Sequence, residues 1–259
     1  MLFDGRFETA GLNSWPGVLI LKAGNTNMLT YQTAIRRRST GYAPKLEVGG
    51  DNGLGERIEY GPLSLWENAM EGREVWIASS DRIPSGQVLP GDSVFLWQRN
   101  SQFNPQVCAA SGLGGGDSIS ARSPGGGREV NYFTFNTSGG VGRCSQKLWT
   151  IPNLAVVRDR WIDWLVHYRF ASTTDKGPIT ELFYRVATNE ASPPTMGPWV
   201  NPISDTTQPN LVRISSSQGN FRWEGGVYKA ESYTPCTTVY FGGMVIGPTR
   251  ADAEAAMFD

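Results

Sequence analysis

"RWIDWLVHYRF", residues 160–170, places Ile162, Trp164, Val166, Tyr168 and Phe170 at every second position, with Asp163, Leu165, His167 and Arg169 between them. Side chains two apart share a face of a β-strand, so this spacing predicts a strand with one apolar face in a core. His167 is expected on the other, solvent-side face together with Asp163, or on the floor of a cleft if that face lines one.

The same two-residue period recurs outward from this stretch. Strands are predicted over 27–37, 57–66, 73–79, 93–98, 129–136, 179–186, 211–215 and 237–247, separated at short intervals by turn residues. Only "TRADAEAAMF", 249–258, reads as one or two helical turns. Gly (31) and Pro (16) are plentiful and charged residues reach only 18%, a balance that favours strands joined by tight turns. The expectation is an all-β antiparallel sandwich with minimal helix, formed as one domain over 1–259, with no repeat and no dividing linker.

Composition narrows the function. A formal charge of −1 supplies no field for nucleic acid or a heavily sulfated glycan. Apolar runs such as "GVLIL" (17–21) are strand-sized, so no membrane span is expected. The stretch "MLFDGRFETAGLNSW" has no basic segment followed by an apolar one, so no secretory signal is expected. The expectation is a virion-associated protein or one released by lysis, otherwise a cytoplasmic one or a chain mature after processing. Cys108, Cys144 and Cys236 are odd in number and far apart, and are expected as buried thiols with one disulfide at most.

Several chemistries fall away by counting. One histidine and three scattered cysteines assemble no zinc site of familiar spacing. No G-x-S-x-G elbow occurs, and a Ser-His-Asp hydrolase would depend on His167 alone. "GLGGGD" (112–117), "SPGGG" (123–127) and "SGGVG" (138–142) lack the Gly-Lys-Ser/Thr ending of a phosphate loop and read as loops at one end of the sandwich, as does the proline-rich 187–210. "DNGLGE" (51–56) offers oxygen ligands but lacks the spacing of a calcium loop and reads as a turn, so no metal or other cofactor is expected and Ca²⁺ lacks support. Glu59, Glu181 and Glu231 are candidate carboxylates for glycoside hydrolysis, a mechanism decided by separation in space.

Nine Trp and nine Tyr exceed what a core of this size requires. Trp97 beside Gln98 and Arg99, Trp66 beside Glu67 and Asn68, and Trp223 between Arg222 and Glu224 combine flat aromatic faces with planar polar groups. Such combinations suit sugar rings, which present C–H faces and hydroxyl edges. At least half of the tryptophans are expected in the core. Arg36 and Arg38, flanking Arg37, share a face if this segment is a strand, and two guanidiniums could meet one acidic ligand there; a solvated edge is the plainer alternative.

Five segments in order resemble the polysaccharide lyases of the heparin-lyase and glucuronan-lyase type, which have a concanavalin A-like jelly roll. They are "RIEYG" (57–61), "REVWIASSDRIP" (73–84), "SVFLWQ" (93–98), "RWIDWLVHYRFASTTDKGPITELFYR" (160–185) and "GGVYKAESYTPCTTVYFGGMVIGPT" (225–249). Such lyases cleave uronate polymers by β-elimination. A base removes the proton beside the carboxylate, neighbouring groups neutralise that carboxylate, and the leaving oxygen is protonated.

The resemblance implies Tyr228 as proton carrier, with Lys229 beside it, Gln98, Arg99 or Arg57 as carboxylate neutraliser, and Glu59 on the same Arg-x-Glu strand. Trp97, Arg36, Arg38 and His167 complete the candidates for substrate contact. The sequence departs from the family at Glu224, where a lysine is usual; at Leu96-Trp97-Gln98, in place of Gln-Trp-His; and at Gly242, in place of aspartate. An acid near Tyr228 disfavours its phenolate. Two expectations follow from these residues. One is a glycan-recognising jelly roll, a phage tail or virion component touching host cell-wall polysaccharide and other virion proteins. The alternative is an active lyase.

Overall fold

The computed structural model describes residues 3–8, 17–22, 28–48, 57–62, 71–87, 89, 94–101, 116–123, 129–138, 144–210, 221–229 and 236–258. They form two antiparallel sheets. The eight-stranded sheet runs in the order β13 (Val200–Asp205), β12 (Ile179–Val186), β11 (Ile162–Arg169), β6 (Glu74–Arg82), β15 (Thr237–Gly247), β4 (Ala43–Val48) and β3 (Met28–Gln32), and β1 (Phe3–Gly5) also pairs with β15. The seven-stranded sheet runs β10 (Cys144–Ala155), β9 (Val130–Ser138), β8 (Gly116–Arg122), β7 (Val94–Ser101), β14 (Phe221–Lys229), β5 (Arg57–Pro62) and β2 (Gly17–Lys22). Each sheet joins runs of consecutive strands, β13-β12-β11 and β4-β3 in one and β10-β9-β8-β7 in the other, to strands distant in sequence, as a sandwich with crossing connections requires. The all-β antiparallel expectation holds.

The inner faces meet in one apolar core. Leu46, Ile77, Trp164, Val166, Tyr168, Phe241 and Ile246 come from one sheet and Ile58, Tyr60, Leu96, Ile119, Phe133 and Val227 from the other. Close approach of the sheets depends on a glycine. A Cβ at Gly225 would stand 2.4 Å from Cζ of Phe241, well inside contact distance, so no larger residue allows that ring to lie there.

The strand 160–170 is confirmed, but its second face is not open to solvent. Residues Ile162 to Tyr168 are all buried. The reason lies at the far end of the chain. Helix α1 (Arg250–Phe258) lays Ala253, Ala256, Met257 and Phe258 over Ala78, Leu165 and Val245. Asp163 is enclosed on this outer side and accepts hydrogen bonds from Arg37 Nε (2.7 Å) and Nη2 (2.6 Å), Arg185 Nε (2.8 Å) and Ser80 Oγ (2.6 Å). The same guanidiniums lie over the Phe258 ring, at 5.3 Å for Arg37 and 4.8 Å for Arg185. Asp163 is thus the hub that fixes the helix to the sheet.

Other boundaries shift for local reasons. The strand expected over 27–37 stops at Gln32, whose Oε1 accepts a hydrogen bond from the Ile35 amide (2.7 Å) and turns the chain. Within the proline-rich 187–210, Val200–Asp205 is a strand; it tolerates Pro202 because β13 is an edge strand. The strand expected over 211–215 lies outside the described residues. Cys236 is exposed, contrary to the expected buried thiol, because it stands just ahead of β15. Cys144 opens β10, and Cys108 lies outside the described residues.

Two measurements test this packing. Asp163→Ala leaves Arg37 buried without its partner and is expected to cost about 3–5 kcal/mol, read from urea unfolding. Asp81 lies on the core side with Trp164 Nε1 donating to Oδ1 and no hydrogen bond to Oδ2. Burial, helped by the charge of Asp163 and opposed by the Trp164 indole, pushes its carboxyl up from 3.8 to about 7. The unfolded chain therefore releases this proton before the folded one does, and the Asp81 contribution to stability declines as pH rises from about 4 to about 7. Asp81→Asn should gain on the parent over that interval, and equal pH slopes for the two proteins would contradict the assignment.

Candidate functional site

The register of β14 builds the site. In its ladders Tyr228 stands opposite Arg57 on β5 and Phe95 on β7, and Arg57 in turn stands opposite Lys22 on β2. The row continues from Phe95 to Ser120, Tyr132 and Thr150. One line of residues thus crosses all seven strands, six spacings of about 4.8 Å or roughly 29 Å. Ile58 and Val227, one residue along from Arg57 and Tyr228, are buried in the core. Alternation therefore puts the Lys22–Arg57–Tyr228 row on the face turned away from the core.

A second row follows two residues along. In it Glu59 stands opposite Gly226; Glu224, two residues further along β14, stands opposite Gln98, which continues to Ser118 and Thr134 because the register shifts between β14 and β7. Gly226 has φ of +144°, at a register shift between β14 and β7, and a Cβ there would strain the backbone. Ser118 and Ser120 are buried although they lie on this outer face, so the floor over β8 is recessed. Tyr60, next to Glu59 in sequence, faces the core, where burial drives its phenol far above the usual range with its hydroxyl 3.5 Å from that of Tyr31. It takes no part in this face.

The side chains of Tyr228, Lys229, Arg57, Glu59, Trp97, Gln98 and Arg99 lie outside the described residues, and their register is what places them. Tyr228, Arg57, Glu59 and Gln98 are brought to one face. Lys229 is not: it stands opposite Val94, and Val94 opposite the buried Ala121, so sequence adjacency to Tyr228 puts it on the core-facing row. The register shift on β7 sets Trp97 opposite the buried Ile119, and Arg99 opposite Asp117 two residues along the same row. Sequence reasoning missed Lys22, which only the β2–β5 pairing brings beside Arg57. Its signal, a lysine ending an apolar run, is too common to single out.

His167, Arg36 and Arg38 belong to the other sheet and its flanking loop. His167 is buried, not solvent-side: it stacks on Trp76 with ring centroids 3.9 Å apart and holds Glu181 Oε2 at 2.8 Å from Nδ1. Its partner is Glu181 rather than Asp163, because β12 pairs directly with β11 whereas Asp163 is claimed by arginines. Arg36 and Arg38 share no strand face, since the chain leaves β3 before them. Arg38 is buried and ion-paired to Glu8, so its acid comes from the chain itself. The Arg36 amide donates to Ser192 Oγ at 2.8 Å.

Gly242, at the aspartate position of the resemblance, is also on the outer side of the eight-stranded sheet. A Cβ there would meet Ser80 Cβ at 2.9 Å and Arg37 Cβ and Trp161 at 3.3 Å, which explains why glycine occupies it.

Among the described residues no group of three His, Cys, Asp or Glu comes together to hold a metal ion, and no helix is long and apolar enough to cross a membrane. The residues of "DNGLGE" lie outside the described ones, as do Trp66 and most of the glycine-rich stretches.

No protein-family model matches the sequence, and no curated protein matches it. Solved structures do. An endo-β-1,4-glucuronan lyase from the fungus Trichoderma reesei superposes with a TM-score of 0.65 at 14% identity, over 97% of each chain. A marine alginate lyase from Aplysia kurodai gives 0.51 at 10% identity, over 95% of this chain and 97% of the other. The catalytic domain of a glycoside hydrolase family 131 protein from Coprinopsis cinerea gives 0.51 at 13% identity, over 92% and 83%. The fold is the polysaccharide-lyase-like jelly roll. Lyases and a glycoside hydrolase share it, so the fold alone selects no reaction.

His167→Ala removes a stacked ring and leaves Glu181 without its imidazole. The expected cost is about 1–3 kcal/mol of stability, measured by thermal or urea unfolding. No change is expected in any ligand affinity of the opposite face.

Proposed function

We propose that the outer face of the seven-stranded sheet binds an acidic polysaccharide, with Arg57 and Lys22 meeting a uronate carboxylate beside Tyr228. The observation that carries this is the ladder row Lys22–Arg57–Tyr228 on a polar face about as long as several sugar residues. The jelly-roll fold shared with lyases that act on glucuronan and alginate supports it by analogy. A glycan-recognising protein of a phage tail or virion, touching host cell-wall polysaccharide, is the context favoured by the sequence, and proteomic analysis of purified particles tests it.

A second reading, β-elimination, is favoured by the placement of Arg57 directly opposite Tyr228. A cation there stabilises phenolate and neutralises the substrate carboxylate. Tyr228 would take the proton from the carbon beside the carboxylate, the bond to the leaving oxygen would break as the ring double bond forms, and Tyr228 would return that proton to the leaving oxygen. Glu224, four residues from Tyr228 on the same face of β14, puts an acid where the resemblance implies a lysine, so binding without turnover is the primary reading.

Incubation with a panel of uronate polymers separates the two. Rising ultraviolet absorbance from an unsaturated uronate marks elimination, which binding or hydrolysis does not produce. Under the primary reading, affinity electrophoresis shows retardation by a uronate polymer with flat absorbance. If turnover occurs, Tyr228→Phe is expected to lower kcat by about 10²-fold or more. Absence of retardation by every polymer in the panel would refute glycan binding.

A further inference from the structure

Among the described residues, charge in the central rows on the outer face of the seven-stranded sheet falls in one half of it. Through the central rows, the charged positions are Lys22 on β2, Arg57 and Glu59 on β5, and Arg222 and Glu224 on β14. Across β7, β8, β9 and β10 the same rows carry Phe95, Gln98 and Asn100, then Gly116, Ser118 and Ser120, then Tyr132, Thr134 and Asn136, then Gln146, Leu148 and Thr150. No ionised group occurs among them. Arg122 is the exception on that half, at the strand end, opposite Val130 and beyond the rows that Tyr228 and Glu224 define.

We infer that the ligand is a heteropolysaccharide in which an isolated uronate is flanked by neutral sugars, rather than a homopolymer with a carboxylate on every residue. This rests on the proposed glycan-binding function of the same face and specifies its substrate class. A chain lying along the rows sets one carboxylate over Lys22 and Arg57. Further along, the rows carry Phe, Tyr, Thr, Ser, Asn and Gln, residue types that stack or hydrogen-bond with neutral sugars and offer a carboxylate no counter-charge. A carboxylate displaced from Lys22 and Arg57 along the strands comes nearer Glu59, two residues from Arg57 on β5, or Glu224, four residues from Tyr228 on β14, and like charges repel. A densely charged polyuronate therefore finds one favourable position and several unfavourable ones.

The test uses affinity electrophoresis of the full chain at low and moderate salt against polyglucuronate, deacylated gellan, in which neutral sugars separate the glucuronates, and a neutral β-glucan. The expected result is tighter retention by gellan than by polyglucuronate, by about tenfold in Kd. The double variant Glu59→Gln/Glu224→Gln and the single variant Thr150→Lys, at an exposed site on the neutral half, should each raise affinity for polyglucuronate and narrow the gap. Lys22→Gln/Arg57→Gln should reduce gellan retention to that of the neutral glucan.

Equal or tighter retention of polyglucuronate by the parent overturns the heteropolymer inference while glycan binding stands. Failure of both Glu59→Gln/Glu224→Gln and Thr150→Lys to move polyglucuronate affinity, with unfolding midpoints matching the parent, also overturns it. Retention by none of the three polymers overturns both the inference and the proposed function.

Discussion

The contact between Phe241 and the bare backbone of Gly225 governs the rest of the structure. It sets how near the two sheets come on the β14–β15 side, and so fixes which residues of β14 turn inward. With Gly225 inward, Val227 is inward and Tyr228 is not. A one-residue slip would exchange every member of the outer rows for a core residue, and the apolar cost of burying Arg57, Glu59 and Glu224 makes that register untenable. The polar face is therefore specified by packing on its reverse side, where the core supplies most of the energy.

The two outer faces of the sandwich have different physical roles. On the eight-stranded sheet, Asp163 gathers two arginines that also lie over Phe258, and the helix α1 closes over them. On the seven-stranded sheet the rows are polar, partly recessed and supported mainly from beneath. Arg158 fastens the two sheets at one end. It donates to Glu129 Oε1 and Oε2 at 2.6 and 3.0 Å and to the carbonyls of Pro84 and Gln87 at 3.1 and 3.0 Å.

The fold class was legible from period-two patterning alone, and the strands at 179–186 and 237–247 coincide with their sequence boundaries. What the pattern of 160–170 could not show was that a helix eighty residues later covers its second face, because that contact is nonlocal. For the same reason His167 and Asp163 read as surface residues. Tyr228, Arg57, Glu59 and Gln98 were singled out in the sequence as candidates, and their common face follows from strand register. Register sets Lys229 and Trp97 on core-facing rows, for different reasons. Lys229 was judged by sequence adjacency, which in a strand means opposite faces, and Trp97 lies at an irregularity in β7 that alternation does not anticipate. Lys22 depended wholly on knowing which strand pairs with β5.

Because the fastening of α1 and the arginine hub sits behind the core, a full sandwich thickness from the Tyr228 row, exchanges on the two sides should combine nearly independently. The polar rows are thereby released from structural duty, and their residues can change without loosening the scaffold. A jelly roll arranged in this way is evolvable on one side and conservative on the other, a division that suits a fold shared by enzymes with different reactions.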